Sequence, residues 1–184
     1  MAAGLVLLCG RAFSGKSTVA TALARSLPGS IVSLDAINLE RGLDGGSGIP
    51  VAEWARTNDV AYQRVTAALS GDETVIVDDT CSLRFLRDRW REAAAELGAV
   101  VALVYVDAKP ETIRRRQTAN RLAPTRPDVT DQVLSEHLAD FEPPAADESA
   151  LRFDADVLDM AQVTAAVAAT LARPDTRSLY GGRG

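Results

Sequence analysis

A single histidine and two cysteines in 184 residues are too few, and too widely spaced, to supply a zinc site at any usual ligand spacing. The cysteines, Cys9 and Cys81, both fall at the ends of apolar runs. Buried thiols are the ordinary reading there, ahead of a disulfide. No apolar stretch approaches the roughly 18 residues that cross a bilayer, so no membrane partner is expected. The opening segment MAAGLVLLCGRAFSGK lacks the basic n-region of a signal peptide, and a cytoplasmic location is expected. Positive charge is short as well: a formal net charge of −5 gives no electrostatic support for wrapping nucleic acid. Against that balance, Arg114, Arg115, Arg116, Arg121 and Arg126 crowd one stretch. Internal repeats are absent.

What is present is an alternation of short apolar runs with helix-period segments, the pattern of a parallel sheet covered by helices on both faces. The expected strands are 5–9 (LVLLC), 31–34 (IVSL), 74–77 (TVIV), 100–106 (VVALVYV) and 151–153 (LRF). Their continuous hydrophobicity predicts burial on both sides. Helical spacing appears over about 17–26, 51–69, 83–97, 110–118 and 130–141, and again from Met160 to Leu171. One domain over 1–172 is expected, with 173–184 as a flexible tail. Residues 41–50 (RGLDGGSGIP) read as a mobile loop. Residues 119–129 (ANRLAPTRPDV), with two prolines and two arginines, read as a lid.

Between the first strand and first helix, Gly10, Arg11, Ala12, Phe13, Ser14, Gly15, Lys16 and Ser17 satisfy G-x-x-x-x-G-K-[ST], followed by Thr18. Two glycines let successive backbone N–H groups turn into one concavity, and the helix that follows adds its free N–H groups and dipole. Such a loop cradles the phosphates of ATP. Lys16 would reach the β- and γ-phosphates, and the Ser17 hydroxyl would ligate Mg2+.

The loop alone does not separate a kinase from other phosphate-binding proteins, so the acceptor side matters. Asp35 sits at the end of the second strand in IVSLDAIN, where it reads as a general base for an acceptor hydroxyl or as the N-cap of a following helical turn. Asp78 and Asp79 close the third strand in TVIVDDT. Asp78 reads as a carboxylate acting on Mg2+, with a solvated strand end as the alternative. Arg116, Arg121 and Arg126 read as clamps on transferring phosphate, while Arg114 and Arg115 suit a solvated helix face. Trp54 and Tyr62 fit either an acceptor pocket or the core. His137 has no evident partner and reads as a surface residue.

Together, GRAFSGKST, SLD, VIVDDT and RRRQTANR with its lid resemble the small P-loop kinases. The likeness is greatest to the AAA_33-type kinases, which include the polynucleotide 5′-kinase domain, and extends to chloramphenicol phosphotransferase and the zeta toxins. The resemblance covers roughly residues 4–172. It implies an α/β three-layer sandwich, a five-stranded parallel sheet with helices on both faces and a lid. It also implies ATP and Mg2+ as cofactors, Lys16 and Ser17 on phosphate and metal, Asp35 as base, and Arg116 and Arg121 as the lid arginines. Polynucleotide kinases carry an arginine a few residues after the base, where AINLERG offers only Arg41. The expected activity is transfer of the γ-phosphate to a hydroxyl of a small molecule, such as an antibiotic or other natural product. The alternatives are a polynucleotide or tRNA kinase and an ATPase switch acting through a protein partner. No N-K-x-D motif is present, which counts against a GTPase.

Overall fold

The computed structural model describes residues 3–173. The expected tail, apart from Arg173, lies outside the described residues. Among these residues five parallel strands form one sheet: β1 (Gly4–Cys9), β2 (Gly29–Ser33), β3 (Thr74–Asp78), β4 (Val100–Asp107) and β5 (Leu151–Asp154). Their spatial order is β2-β3-β1-β4-β5. The first strand is therefore central, and all six of its residues are buried. Registers such as Leu7↔Val77 on one side and Leu7↔Leu103 on the other hold it between its neighbours.

Among the described residues seven helices cover the sheet: α1 (Lys16–Ser26), α2 (Leu34–Glu40), α3 (Val51–Ser70), α4 (Arg84–Glu96), α5 (Pro110–Leu122), α6 (Asp131–Ala139) and α7 (Met160–Leu171). Alternation along each strand divides the core in two. Leu5, Leu7, Val75, Val77 and Leu103 pack with Ile37, Ala61, Val65 and Trp90 on one face. Val6, Leu8, Ile76, Val104 and Val106 pack with Val19, Leu23, Ile113 and Val167 on the other. Among the described residues no helix is long and apolar enough to cross a membrane. Cys9 and Cys81 are buried, free thiols.

Three expectations need correction. The second strand ends at Ser33, not Leu34, because the Ser33 hydroxyl accepts the Ala36 N–H at 3.3 Å and starts α2 as its N-cap. Leu34 then turns into the core. The lid is shorter than expected, since α5 continues through Leu122 and only residues 123–130 are irregular. The chain leaves the helix at Ala123, just before Pro124, where a proline disfavours helical backbone in the residue ahead of it. Residues 41–50 contain a short 3-10 turn, Gly45–Ser47, which packs on the lid: the Thr130 N–H donates to the Gly46 carbonyl oxygen at 3.0 Å. Trp54 and Tyr62 both pack against the core, Tyr62 stacking on Trp90 at 5.9 Å.

Candidate active site

At the carboxyl end of β1 the chain turns through residues 10–15 into α1. Gly10 adopts φ +151, and a Cβ there would lie 2.6 Å from the Val106 carbonyl oxygen, so no other residue fits without displacing β4. Gly15, at φ 107, is the N-cap of α1 and brings no side-chain cap. The first-turn N–H groups of Lys16, Ser17 and Thr18 are thus left for an anion. Phe13 holds a left-handed φ of 61, an uncommon state for a bulky residue, while its ring is buried beneath the Arg126 guanidinium at 4.7 Å.

Lys16 is 7% exposed, and its ammonium donates to the Arg11 carbonyl oxygen at 2.9 Å. Burial pushes its pKa down, while the charges of Asp78 and Asp79 pull it back up. Burial raises the pKa of Asp78; a hydrogen bond from the Ser17 hydroxyl and the charge of Lys16 oppose that rise. Asp79 is raised by burial too, against the Cys81 and Thr80 N–H groups that it accepts. A hydroxyl facing a half-buried carboxylate, beside an anion cradle, is a hard-oxygen donor pair that fits a magnesium ion. Among the described residues no cluster of three His, Cys, Asp or Glu side chains could hold a metal by itself. Two protein donors with the remainder from phosphate and water is the usual magnesium arrangement.

Asp35 does not cap α2. It occupies the helix's first turn, with Ser33 as the cap, and remains 73% exposed. Its carboxylate lies 3.7 Å from Arg126, and its charge is felt at Lys16 and Asp78. Arg126 therefore spans the gap from Phe13 to Asp35, and its Nε is buried without a partner among the described residues. The other two arginines are engaged differently from the expected clamp. Arg116 donates through Nη1 to the carbonyl oxygens of Phe13 and Ser14, at 3.1 and 2.6 Å, and through Nη2 to Ala155 at 2.8 Å. It braces the loop from outside, because outward-turned carbonyls are its nearest acceptors. Arg121 is held by Asp128 and Asp131, at 2.7 and 2.8 Å, so the lid's own acids take its charge. The Arg11 guanidinium lies over the Phe141 ring at 4.6 Å. Arg41 is tied to Glu53 and Thr57.

The residue that sequence reasoning missed is His137. Far from being a surface residue, it accepts the Ala12 N–H through Nε2 at 3.3 Å. Only its spacing from the lid could have pointed there. The contact between Gly46 and the lid is equally tight. A methyl group on Gly46 would overlap the Asp128 carbonyl oxygen. Gly46→Ala is therefore expected to cost about 1–3 kcal/mol, read as a lowered Tm, and to part the 41–50 loop from the lid.

The AAA_33 family model, described as an AAA domain, matches residues 5–144. Among curated proteins, tRNA dimethylallyltransferase 2 of Syntrophotalea carbinolica is 33% identical over 78 residues, 42% of this chain and 25% of that protein. The chain thus spans about a quarter of that relative's length. Among solved structures, Kti12 of Chaetomium thermophilum in complex with ADP-AlF3 superposes with a TM-score of 0.74 at 18% identity, covering 92% of this chain and 100% of that one. The APS kinase CysC of Mycobacterium tuberculosis, in complex with AMPPNP and APS, gives 0.67 at 18% identity, covering 93% and 98%. At this identity the two structures establish the P-loop kinase-like fold.

Proposed function

The chain belongs to the AAA_33 family of AAA domains, and from that premise we propose that it is an ATP-dependent phosphotransferase. Its acceptor is a hydroxyl of a small molecule, such as an antibiotic or other natural product. One observation carries this reading. An exposed carboxylate, Asp35, stands with Arg126 beside a phosphate cradle, where a nucleotide switch would need no base. The cytoplasm suits the activity, since ATP is available there and the unpaired Cys9 and Cys81 stay reduced.

In this mechanism the loop N–H groups and Lys16 bind the β- and γ-phosphates. Magnesium, held by Ser17 and Asp78, would supply neutralising charge to those phosphates. Asp35 accepts the proton of the acceptor hydroxyl as its oxygen bonds to the γ-phosphorus, while the bond to the β-γ bridging oxygen breaks and ADP leaves. Arg126, anchored on Phe13, offers positive charge to the transferring group. The lid keeps water from taking the acceptor's place.

Asp35→Asn is expected to lower kcat by about 10²–10⁴-fold and to leave ATP affinity within a few-fold of the parent. Steady-state kinetics set beside ATP titration would check both; an unchanged kcat removes Asp35 as base. An RNA acceptor is the second reading, favoured by the local likeness to a tRNA dimethylallyltransferase and disfavoured by the engaged Arg41. Labelled ATP offered with 5′-hydroxyl oligonucleotides in one pool and hydroxylated metabolites and antibiotics in another separates the two. Label in a small molecule is the expected result. Label in the oligonucleotide supports the RNA reading, and label released only as free phosphate supports an ATPase switch.

A further inference from the structure

The peptide unit that joins Arg11 to Ala12 is gripped at both ends. Its carbonyl oxygen accepts the Lys16 ammonium at 2.9 Å, and its N–H donates to His137 Nε2 at 3.3 Å. His137 is the chain's one histidine and stands on α6, the helix that follows the lid. A ring that accepts through Nε2 is neutral and carries its proton on Nδ1. The surroundings favour that form. Burial first, then the charges of Lys16 and Arg11, push the imidazole pKa down to about 4, with Asp140 alone pulling it upward. Phe141 meets the ring edge-on at 6.3 Å. Phe141 also carries the Arg11 guanidinium on its face, and that guanidinium lies 3.8 Å from Asp107. The residues before and after the peptide bond are thus both fixed to the same segment.

We propose that His137 is a positioning residue of the nucleotide site, which holds the Arg11–Ala12 peptide so that its carbonyl oxygen faces Lys16 and its N–H faces outward. The ammonium then keeps one fixed anchor inside the loop when its remaining N–H bonds turn to phosphate. Without an acceptor at position 137 the Ala12 N–H loses its partner and the peptide is free to rotate, which carries the Lys16 anchor away. The inference rests on the phosphate-cradling role proposed above for this loop, so its test begins without any nucleotide.

Because the chain has one histidine, 15N labelling of histidine gives a single imidazole signal. The expected spectrum of the free protein is that of the Nδ1–H tautomer, with Nε2 unprotonated and the ring still neutral at pH 5.5. A ring that titrates near its ordinary value of about 6.5 overturns the proposal. The second stage measures fluorescent ADP binding by two variants, each checked by its unfolding temperature. His137→Gln places an amide oxygen where Nε2 stood and should bind ADP within about threefold of the parent. His137→Phe fills the space with no acceptor and should bind about tenfold more weakly, the range set by leaving one donor unpaired. Equal binding by both variants overturns the proposal. If the parent protein itself fails to bind ADP, the nucleotide reading is what fails, and the imidazole signal still decides the His137 contact.

Discussion

Lys16→Ala is expected to abolish phosphate transfer, with a loss of at least about a thousandfold, the upper range for removing one preorganised charge from a water-excluded site. Three features set the size of the effect. The ammonium is buried, so its charge acts where screening is weak. The Arg11 carbonyl oxygen takes one of its three N–H bonds and leaves the others for phosphate. The charges of Asp78 and Asp79 favour its protonated form. Removing it takes away the cation nearest the phosphates and leaves two half-buried carboxylates to repel them. ATP affinity and kcat should therefore fall together. Transfer of labelled γ-phosphate with titrated ATP checks this, and activity within tenfold of the parent would take phosphate recognition away from this loop.

Arg87→Met is expected to be the most damaging substitution for stability. Arg87 is 1% exposed and donates to both carboxylate oxygens of Glu148, at 2.7 and 2.8 Å. It also reaches the carbonyl oxygens of Cys81 and Glu142, at 2.9 and 3.0 Å. Removing one partner of a buried ion pair costs about 3–5 kcal/mol, which for a chain of this size lowers Tm by roughly 6–20 °C. Pairing the change with Glu148→Leu should recover part of the loss, because it removes a buried carboxylate left with only Arg91 and the Ala145 N–H as partners. The pair also sets an acid limit. Burial alone would raise the Glu148 pKa, but hydrogen bonds from Arg87, the Ala145 N–H and Arg91 outweigh it and bring the value down to about 2. A depressed carboxylate pKa stabilises the fold fully above the unfolded range of about 4.3. That stabilisation fades as pH falls through about 2. Thermal melts between pH 2 and 7 should show this limb in the parent and a weaker one in Arg87→Met. Equal Tm values for the two proteins at pH 7 would refute the estimate.

Much of this architecture is legible in the sequence because burial writes itself as continuous apolar runs. Strands 5–9, 74–77 and 100–106 each fall within a residue of their observed ends. The cradle is legible because its glycines and Lys16 recur at a spacing that backbone geometry imposes. Helix α2 was legible only as a helical turn after Asp35: it is seven residues long and too short for a period to show. Its start depends on the hydroxyl of Ser33, which a strand tolerates equally well. The partners of the arginines were not legible for another reason. Composition shows that a stretch is basic, but only the fold reveals that Arg116 meets loop carbonyls and Arg121 meets Asp128 and Asp131. Likewise His137 and Ala12 are 125 positions apart, a separation that no local pattern bridges.

The phosphate loop is held by three elements at once: Arg116 from α5, Arg126 from the lid and His137 from α6. This fixes how the molecule can be rebuilt. A lid segment borrowed from a related kinase, cut at the ends of residues 123–130, would keep Arg116 and His137 but lose the guanidinium that covers Phe13. A cut widened to include α5 and α6 would take all three supports with it. The graftable module is therefore the cradle together with the whole stretch from Pro110 to Ala139, and neither half is interchangeable without the other.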